Sequence, residues 1–421
     1  MKGFVVYKFG GASLGNPKNI RQVAGILTFN RPEKLLLVVS ATGKTTNKLE
    51  NILDQWLEGN PARFEVMSRL IREHHELFSS AGMEEIPGMA QRFFDEASAL
   101  IRLPAPESYG EAYAQLIPYG ELWSSTLMAD YLRQKGLPVD WTDARQLIFT
   151  NDTHRNAAIQ WEETSRAAQT LKQAIAEGRI ILTQGFIGAS PGGTTTTLGR
   201  EGSDFSAAIL AAVLQAQQVV VWKDVPGIMT ADPKVIPTAT CIPRLSYKNA
   251  IEMTYYGAKV LHPKTIKPLE NRDIPLSVKP FSNPDSPGTL ISKEEPETPL
   301  PAICVVKNDQ VHLEISTQDL SFMEEKNLGF IYSQFAVHQI RLNLNRVTAL
   351  HMDACFDHDP HRLPGLLQTL ADRFDYRIRK NLELITFISY SADDLEKIRQ
   401  ERNILLEEKN DRIAHLLVTP Q

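Results

Sequence analysis

The most constraining feature of this chain is a repeated order: a short run of strand-forming residues, a loop of small and polar residues, then a helix-compatible stretch. Residues 4–9 are nearly all strand formers and end on Gly10-Gly11, ahead of a polar stretch from Asn19 onward. Residues 34–39 repeat the order and close on Ser40-Ala41-Thr42-Gly43. Further buried runs at 180–184 and 219–222 flank an alanine-rich helical segment from about 206 to 215. The alternation predicts an α/β fold, a mostly parallel sheet sandwiched by helices, with ligands beyond the carboxyl ends of the strands. The long periodic segment 48–101 reads as a helical excursion from that sheet. His74 and His75 within it are adjacent, a spacing that puts them on different helix faces, and no role is assigned to either.

Size and composition set the limits. A chain of 421 residues asks for two to three domains. A formal charge of -5 and a pI near 6.1 argue against nucleic acid or an anionic membrane as the main partner. No apolar run reaches membrane-spanning length, and the N-terminus leads straight into strand-like sequence, so a cytoplasmic protein is expected. The 3 cysteines form no CxxC pair and read as reduced, mostly buried thiols.

A Pro- and Gly-rich stretch, 282–301, reads as a linker between a large domain, 1–281, and a smaller region, 302–421. From 311 to 389 the pattern is βαββαβ, a ferredoxin-like α+β module. Residues 303–307 offer a strand to a second module, and what remains for it, 392–418, is short, so that second module is expected to be incomplete. His351, Asp353, Asp357, His358, Asp359 and His361 read as strand and solvated turn, and no metal site is assigned.

Three loops carry the chemistry. Lys8-Phe9-Gly10-Gly11-Ala12-Ser13 sets an ammonium at a strand end beside glycines whose N–H groups can approach phosphate oxygens closely. Leu198-Gly199-Arg200-Glu201-Gly202-Ser203-Asp204 puts a guanidinium suited to carboxylates just ahead of a helix that Ser203 and Asp204 are placed to cap. Trp222-Lys223-Asp224-Val225-Pro226-Gly227, continuing to Asp232-Pro233, follows another buried strand. Together they suit a nucleoside triphosphate and a carboxylate.

In these motifs the chain resembles the aspartate kinases of the amino acid kinase superfamily, over residues 5–291. The resemblance implies that Lys8 stabilises the transferring phosphoryl group of ATP and that Asp204 orients Lys8 and the phosphates that carry Mg²⁺. It implies that Gly10, Gly11, Ser13 and Ser40 line the phosphate path, and that Lys223, Asp224, Gly227, Asp232, Pro233 and Lys259 bind the nucleotide. Thr46, Glu121, Arg200 and Ser203 match positions that bind the acceptor, L-aspartate, with Glu121 on its α-ammonium and Arg200 on a carboxylate. The implied reaction is phosphorylation of the aspartate β-carboxylate to 4-phospho-L-aspartate, the first step of lysine, threonine, methionine and diaminopimelate biosynthesis. A stand-alone kinase without a dehydrogenase domain is expected.

Three positions depart from the family pattern: Ala12 replaces Thr, Glu201 replaces Gly and Lys223 replaces Thr. The region after 302 resembles ACT regulatory domains, which implies a homodimer or higher homo-oligomer and an amino-acid effector, lysine or threonine. Two alternatives stay open: a related kinase of glutamate, N-acetylglutamate or a nucleoside monophosphate, and a catalytically silent amino-acid sensor on the same fold.

Overall fold

The computed structural model describes residues 3–258 and 261–420. The chain forms two compact units. One takes in the chain up to Ile228, Cys241–Ile251 and the stretch ending at Pro296; the other takes in Met229–Thr240, Glu252–Ala258 and the chain from Glu297 onward.

In the first unit, the apolar runs become the strands expected of them: β1 (Val5–Phe9), β2 (Leu35–Val39), β3 (Val139–Trp141) and β4 (Ile180–Gln184). A hairpin, β5 (Ile187–Ala189) and β6 (Thr195–Thr197), follows, then β7 (Gln218–Lys223), β8 (Arg244–Ser246), β9 (Leu276–Pro280) and β10 (Thr289–Ser292). The main sheet runs β3-β4-β2-β1-β7-β9-β10-β8. Pairing is parallel from β3 through β9, and β10 adds antiparallel to β9. β10 lies inside the stretch read as a linker; a Thr-Leu-Ile-Ser run among prolines pairs here because β9 leaves an open edge for it.

β1 and β2 are central, and Val38, Val39, Phe9 and Val6 are fully buried. Each such side chain withdrawn from water contributes about 1.5–3 kcal/mol, so this part of the sheet has little freedom to slip register. Phe9 stacks on Trp222 with ring centroids 5.7 Å apart. The expected excursion is three helices, Thr45–Leu57, Ala62–Ala81 and Gly88–Leu100, packed with Tyr119–Gln134 around Trp56, Phe78, Phe94 and Trp123.

The second unit holds a six-stranded antiparallel sheet: β11 (Ile303–Thr317), β12 (Leu342–Val347), β13 (His351–Asp357), β14 (Phe374–Ile388), β15 (Ile404–Lys409) and β16 (Ile413–Val418), in the order β12-β13-β11-β14-β16-β15. β11 and β14 are each 15 residues long and belong to both halves of the sheet. Their outer parts complete the βαββαβ module, with helices Glu325–Val337 and Leu363–Ala371 on one face. Residues 303–307 and 384–388 pair in the other half beside β16. That half has one helix, Ala392–Glu401, and its apolar cluster of Cys304, Phe387, Leu395 and Leu416 is closed by Ala231, with Ile236 and Ala239 packed against it. The second module is therefore short in the C-terminal sequence because a distant segment finishes its core.

Candidate active site

Parallel pairing sets Lys8 of β1 between Val38 of β2 and Val221 of β7, so the loops after all three strands converge around its ammonium. Lys8 is buried, and its Nζ lies 2.6 Å from Oδ1 of Asp204. Lys223, at the end of β7, places its Nζ 2.9 Å from Oδ2 of the same carboxylate. Asp204 stands in the first turn of the helix Gly202–Leu214, where the helix N-terminus favours negative charge. Burial opposes its ionisation, but Lys8 and Lys223 outweigh burial and hold the carboxyl below its usual range. The result is a buried carboxylate with an ammonium on each oxygen.

A cavity of about 590 Å³ opens over this triad and is also lined by Gly11, Ser40, Thr46, Glu121, Arg200 and Ser203. The sequence order that built it is visible in its glycines. A Cβ on Gly11 would lie 2.7 Å from the Ala41 carbonyl oxygen, and one on Gly185 would lie 2.3 Å from Cβ of Ser203. Both sites let the lining loops close to backbone distance.

Glu121 sits in the first turn of the helix Tyr119–Gln134, fully withdrawn from water. Its Oε1 accepts the Ala41 N–H at 3.4 Å, and Oε2 has no partner. Burial pushes its pKa up to about 8, against the pull of the Ala41 N–H and of Lys8. An incoming cation is the group that this carboxyl lacks.

His74, given no role in the sequence, is buried beside the first turn of the helix Thr45–Leu57, which carries Thr46. Its Nδ1 is 2.8 Å from the Leu70 carbonyl oxygen, while Nε2 is 2.8 Å from Thr42 Oγ1 and 3.2 Å from Thr45 Oγ1. Burial lowers its pKa to about 4, so the ring is neutral near pH 7. Nδ1–H then donates to Leu70 and Nε2 accepts from the threonines, fixing the start of the helix Thr45–Leu57.

The described residues lining the cavity include four basic groups, Lys8, Arg155, Arg200 and Lys223, and four acidic ones, Glu50, Glu121, Glu201 and Asp204. With Glu121 protonated near pH 7 the balance is positive, which suits anionic ligands. Glu50, Tyr113, Arg155 and Asn156 were not foreseen. Arg155 lies 4.4 Å from the Tyr113 ring, and the Tyr113 hydroxyl donates to Glu50 at 3.3 Å. They sit on two helices, Thr45–Leu57 and Tyr109–Leu116, and an irregular loop with no motif, so only the fold brings them to the site.

Gly10, Ser13, Asp224, Gly227, Asp232 and Pro233 are not among the residues lining the cavity. Gly10 packs beside the Lys8 ammonium, and Ser13 is buried in the turn Gly11–Leu14. Asp224 is exposed, and Gly227 packs against Cys241 and Thr289. Asp232 and Pro233 belong to the second unit. Lys259 lies outside the described residues.

In the second unit, Glu314, His351 and Asp353 bring ligand-capable atoms within 4.8 Å of one another. The oxygens of Asp353 are engaged by His312 at 2.9 Å and Arg346 at 2.9 Å, an ion-pair network. No helix among the described residues is long and apolar enough to cross a membrane.

The model of the amino acid kinase family matches residues 3–280. The lysine-sensitive aspartokinase 3 of Escherichia coli is 33% identical over 413 residues, covering 94% of this chain and 89% of that protein. The chloroplastic bifunctional aspartokinase/homoserine dehydrogenase 2 of Arabidopsis thaliana is 31% identical over 335 residues, 77% of this chain but 35% of that protein, so the chain spans about a third of the length of such bifunctional relatives. Among solved structures, E. coli aspartokinase III in complex with aspartate and ADP matches with a TM-score of 0.84 at 27% identity, covering 99% of this chain and 96% of that one. The same enzyme in complex with lysine and aspartate matches with a TM-score of 0.80 at 28% identity.

Proposed function

The chain belongs to the amino acid kinase family and, within it, to the aspartokinases, and from that premise we propose that it transfers the γ-phosphoryl group of ATP to the β-carboxylate of L-aspartate. The observation that carries the reading is the buried Lys8–Asp204–Lys223 triad at the floor of a cavity that also holds Glu121 and Arg200.

Both reactants are anions, and the acceptor carboxylate is already ionised at neutral pH, so the site needs no general base. Its task is to hold two negative groups in line and stabilise the charge that develops on the transferring phosphoryl. Lys8, held at the strand end by Asp204, is the ammonium aimed at that phosphoryl. Lys223 is the second, and either can exchange part of its pairing with Asp204 for phosphate oxygens. Arg200 grips the α-carboxylate, and Glu121 pairs with the α-ammonium. Thr46 and Ser203 offer hydroxyls, and the close-packed loops at Gly11 and Ser40 offer N–H groups to phosphate.

Because lysines occupy both oxygens of Asp204, the triad's one carboxylate, Mg²⁺ would be held by the phosphates, with Asp204 orienting the two lysines beside them. When bound, it neutralises phosphate charge. Asp224, Gly227, Asp232, Pro233 and Lys259 are proposed as the nucleotide side of the site by resemblance.

The six-stranded sheet of the second unit is proposed as an ACT-type regulatory region that binds lysine or threonine and pairs in a homodimer; the E. coli relative solved with lysine supports that choice. A cytoplasmic location accords with it.

The test is ADP release with L-aspartate, L-glutamate or no acceptor. Release dependent on aspartate is expected, and equal release without acceptor would refute the reading.

A further inference from the structure

We propose that Glu201 tunes acceptor binding: ionised, its carboxylate repels the α-carboxylate that Arg200 grips, and protonated, it donates a hydrogen bond to that group. The inference rests on the kinase reading of the cavity and deepens it.

The first observation is the backbone. Glu201 immediately precedes the helix Gly202–Leu214 at φ 53 and ψ 27, the left-handed region. Glycine adopts that conformation freely, while a side chain there costs about 1 kcal/mol. A strained residue kept at the lip of a site points to a use for its side chain.

The second is the side chain itself. Its Oε2 is buried without a hydrogen-bond partner, and among the described residues Glu201 makes no ion pair. It lines the same cavity as Arg200 and Ser203. An unsatisfied carboxyl oxygen facing a ligand cavity either expels anions or, carrying a proton, binds them by a charge-assisted hydrogen bond.

The third is the set of charges around it. Lys8 on β1, Lys223 on β7, Asp204 on the following helix and Arg200 on its own loop all act on this carboxyl. Burial raises its pKa and Asp204 adds to that; Lys223, Lys8 and Arg200 pull the other way without cancelling the rise. Its protonated form is thereby favoured to higher pH than in a free carboxyl, and the switch from repulsion to attraction follows pH.

The experiment compares wild-type protein with Glu201→Gln, which keeps a hydrogen-bond donor and removes the charge, and with Glu201→Gly, which suits the backbone. The acceptor KM is measured from pH 5.5 to 8.5, alongside calorimetric acceptor binding without nucleotide. The ratio of wild-type to Glu201→Gln acceptor KM is expected to rise with pH to about tenfold, the effect of one like charge a few ångströms away in a wet cleft. Any titration of Glu121 is common to both proteins and cancels in the ratio. The α-amide of L-aspartate, which lacks the repelled charge, should give a flat ratio. A flat ratio with L-aspartate, or an equal change in the nucleotide KM, overturns the proposal. Absence of ADP release with any acceptor would refute the kinase reading alone, because the calorimetric ratio tests Glu201 without turnover.

Discussion

Oδ1 of Asp204 lies 2.6 Å from the Lys8 ammonium while its Oδ2 is held by Lys223, so one buried carboxylate positions two cations at the ends of neighbouring strands. The arrangement costs desolvation of three charges, offset by their mutual attraction, and Asp204 stays neutralised as long as one ammonium remains. Removing any member exposes what the others contribute.

Lys8→Ala is expected to lower kcat by about 10²- to 10³-fold, the usual loss for one transition-state charge partner. Lys223 still neutralises Asp204 in that variant, so its thermal unfolding should change little. Steady-state kinetics beside a melting curve reads both; a variant that unfolds as it loses activity would assign Lys8 to the fold.

Glu121 gives a pH signature. Its pKa is raised from 4.5 to about 8, so below 4.5 the carboxyl is protonated in folded and unfolded chains alike. Between those values the unfolded chain ionises and the folded one resists, so stability falls as pH rises, levelling off above about 8. The Tm advantage of Glu121→Gln over wild type should therefore grow across that window while aspartate binding is lost. In the wild type, aspartate binding near pH 7 should release protons as Glu121 ionises against the α-ammonium, measurable by calorimetry in buffers of different ionisation enthalpy. No proton release would remove Glu121 from the ammonium site.

His74→Leu should destabilise the protein by about 1–3 kcal/mol by leaving the Thr42 and Thr45 hydroxyls without their shared acceptor. The acceptor KM should rise more than the nucleotide KM, because Thr46 sits on the helical turn that this network fixes. Denaturant unfolding and kinetics of both substrates test the two parts separately.

Gly185→Ala places a methyl group 2.3 Å from Cβ of Ser203 and should cost about 1–3 kcal/mol through overpacking. Ser203 moves with it, so acceptor binding should weaken; an active variant of unchanged stability would show that the two loops need not touch.

The strands of the first unit were legible because each is a compact apolar run closed by small residues, and the chemistry sits where those runs end. Lys8, Ser40, Arg200, Asp204 and Lys223, whose roles the family resemblance implies, all line the cavity. What stayed hidden depends on pairing that local sequence does not encode. β10 needed the free edge of β9, and β11 and β14 each serve two half-sheets whose second core is completed by Ala231, Ile236 and Ala239. Arg155 reaches the cavity from an irregular loop and Tyr113 from a helix that carries no site motif, and His74 has no motif either because only burial makes it an acceptor for two hydroxyls.

Phosphoryl transfer to a carboxylate yields an acyl phosphate, and the most direct measurement is to trap it with hydroxylamine. Purified protein with Mg-ATP and L-aspartate should yield aspartyl hydroxamate in proportion to ADP, little with L-glutamate, and almost none with Lys8→Ala. ADP without hydroxamate, or hydroxamate at the same rate from Lys8→Ala, would contradict phosphoryl transfer to the acceptor carboxylate at this site.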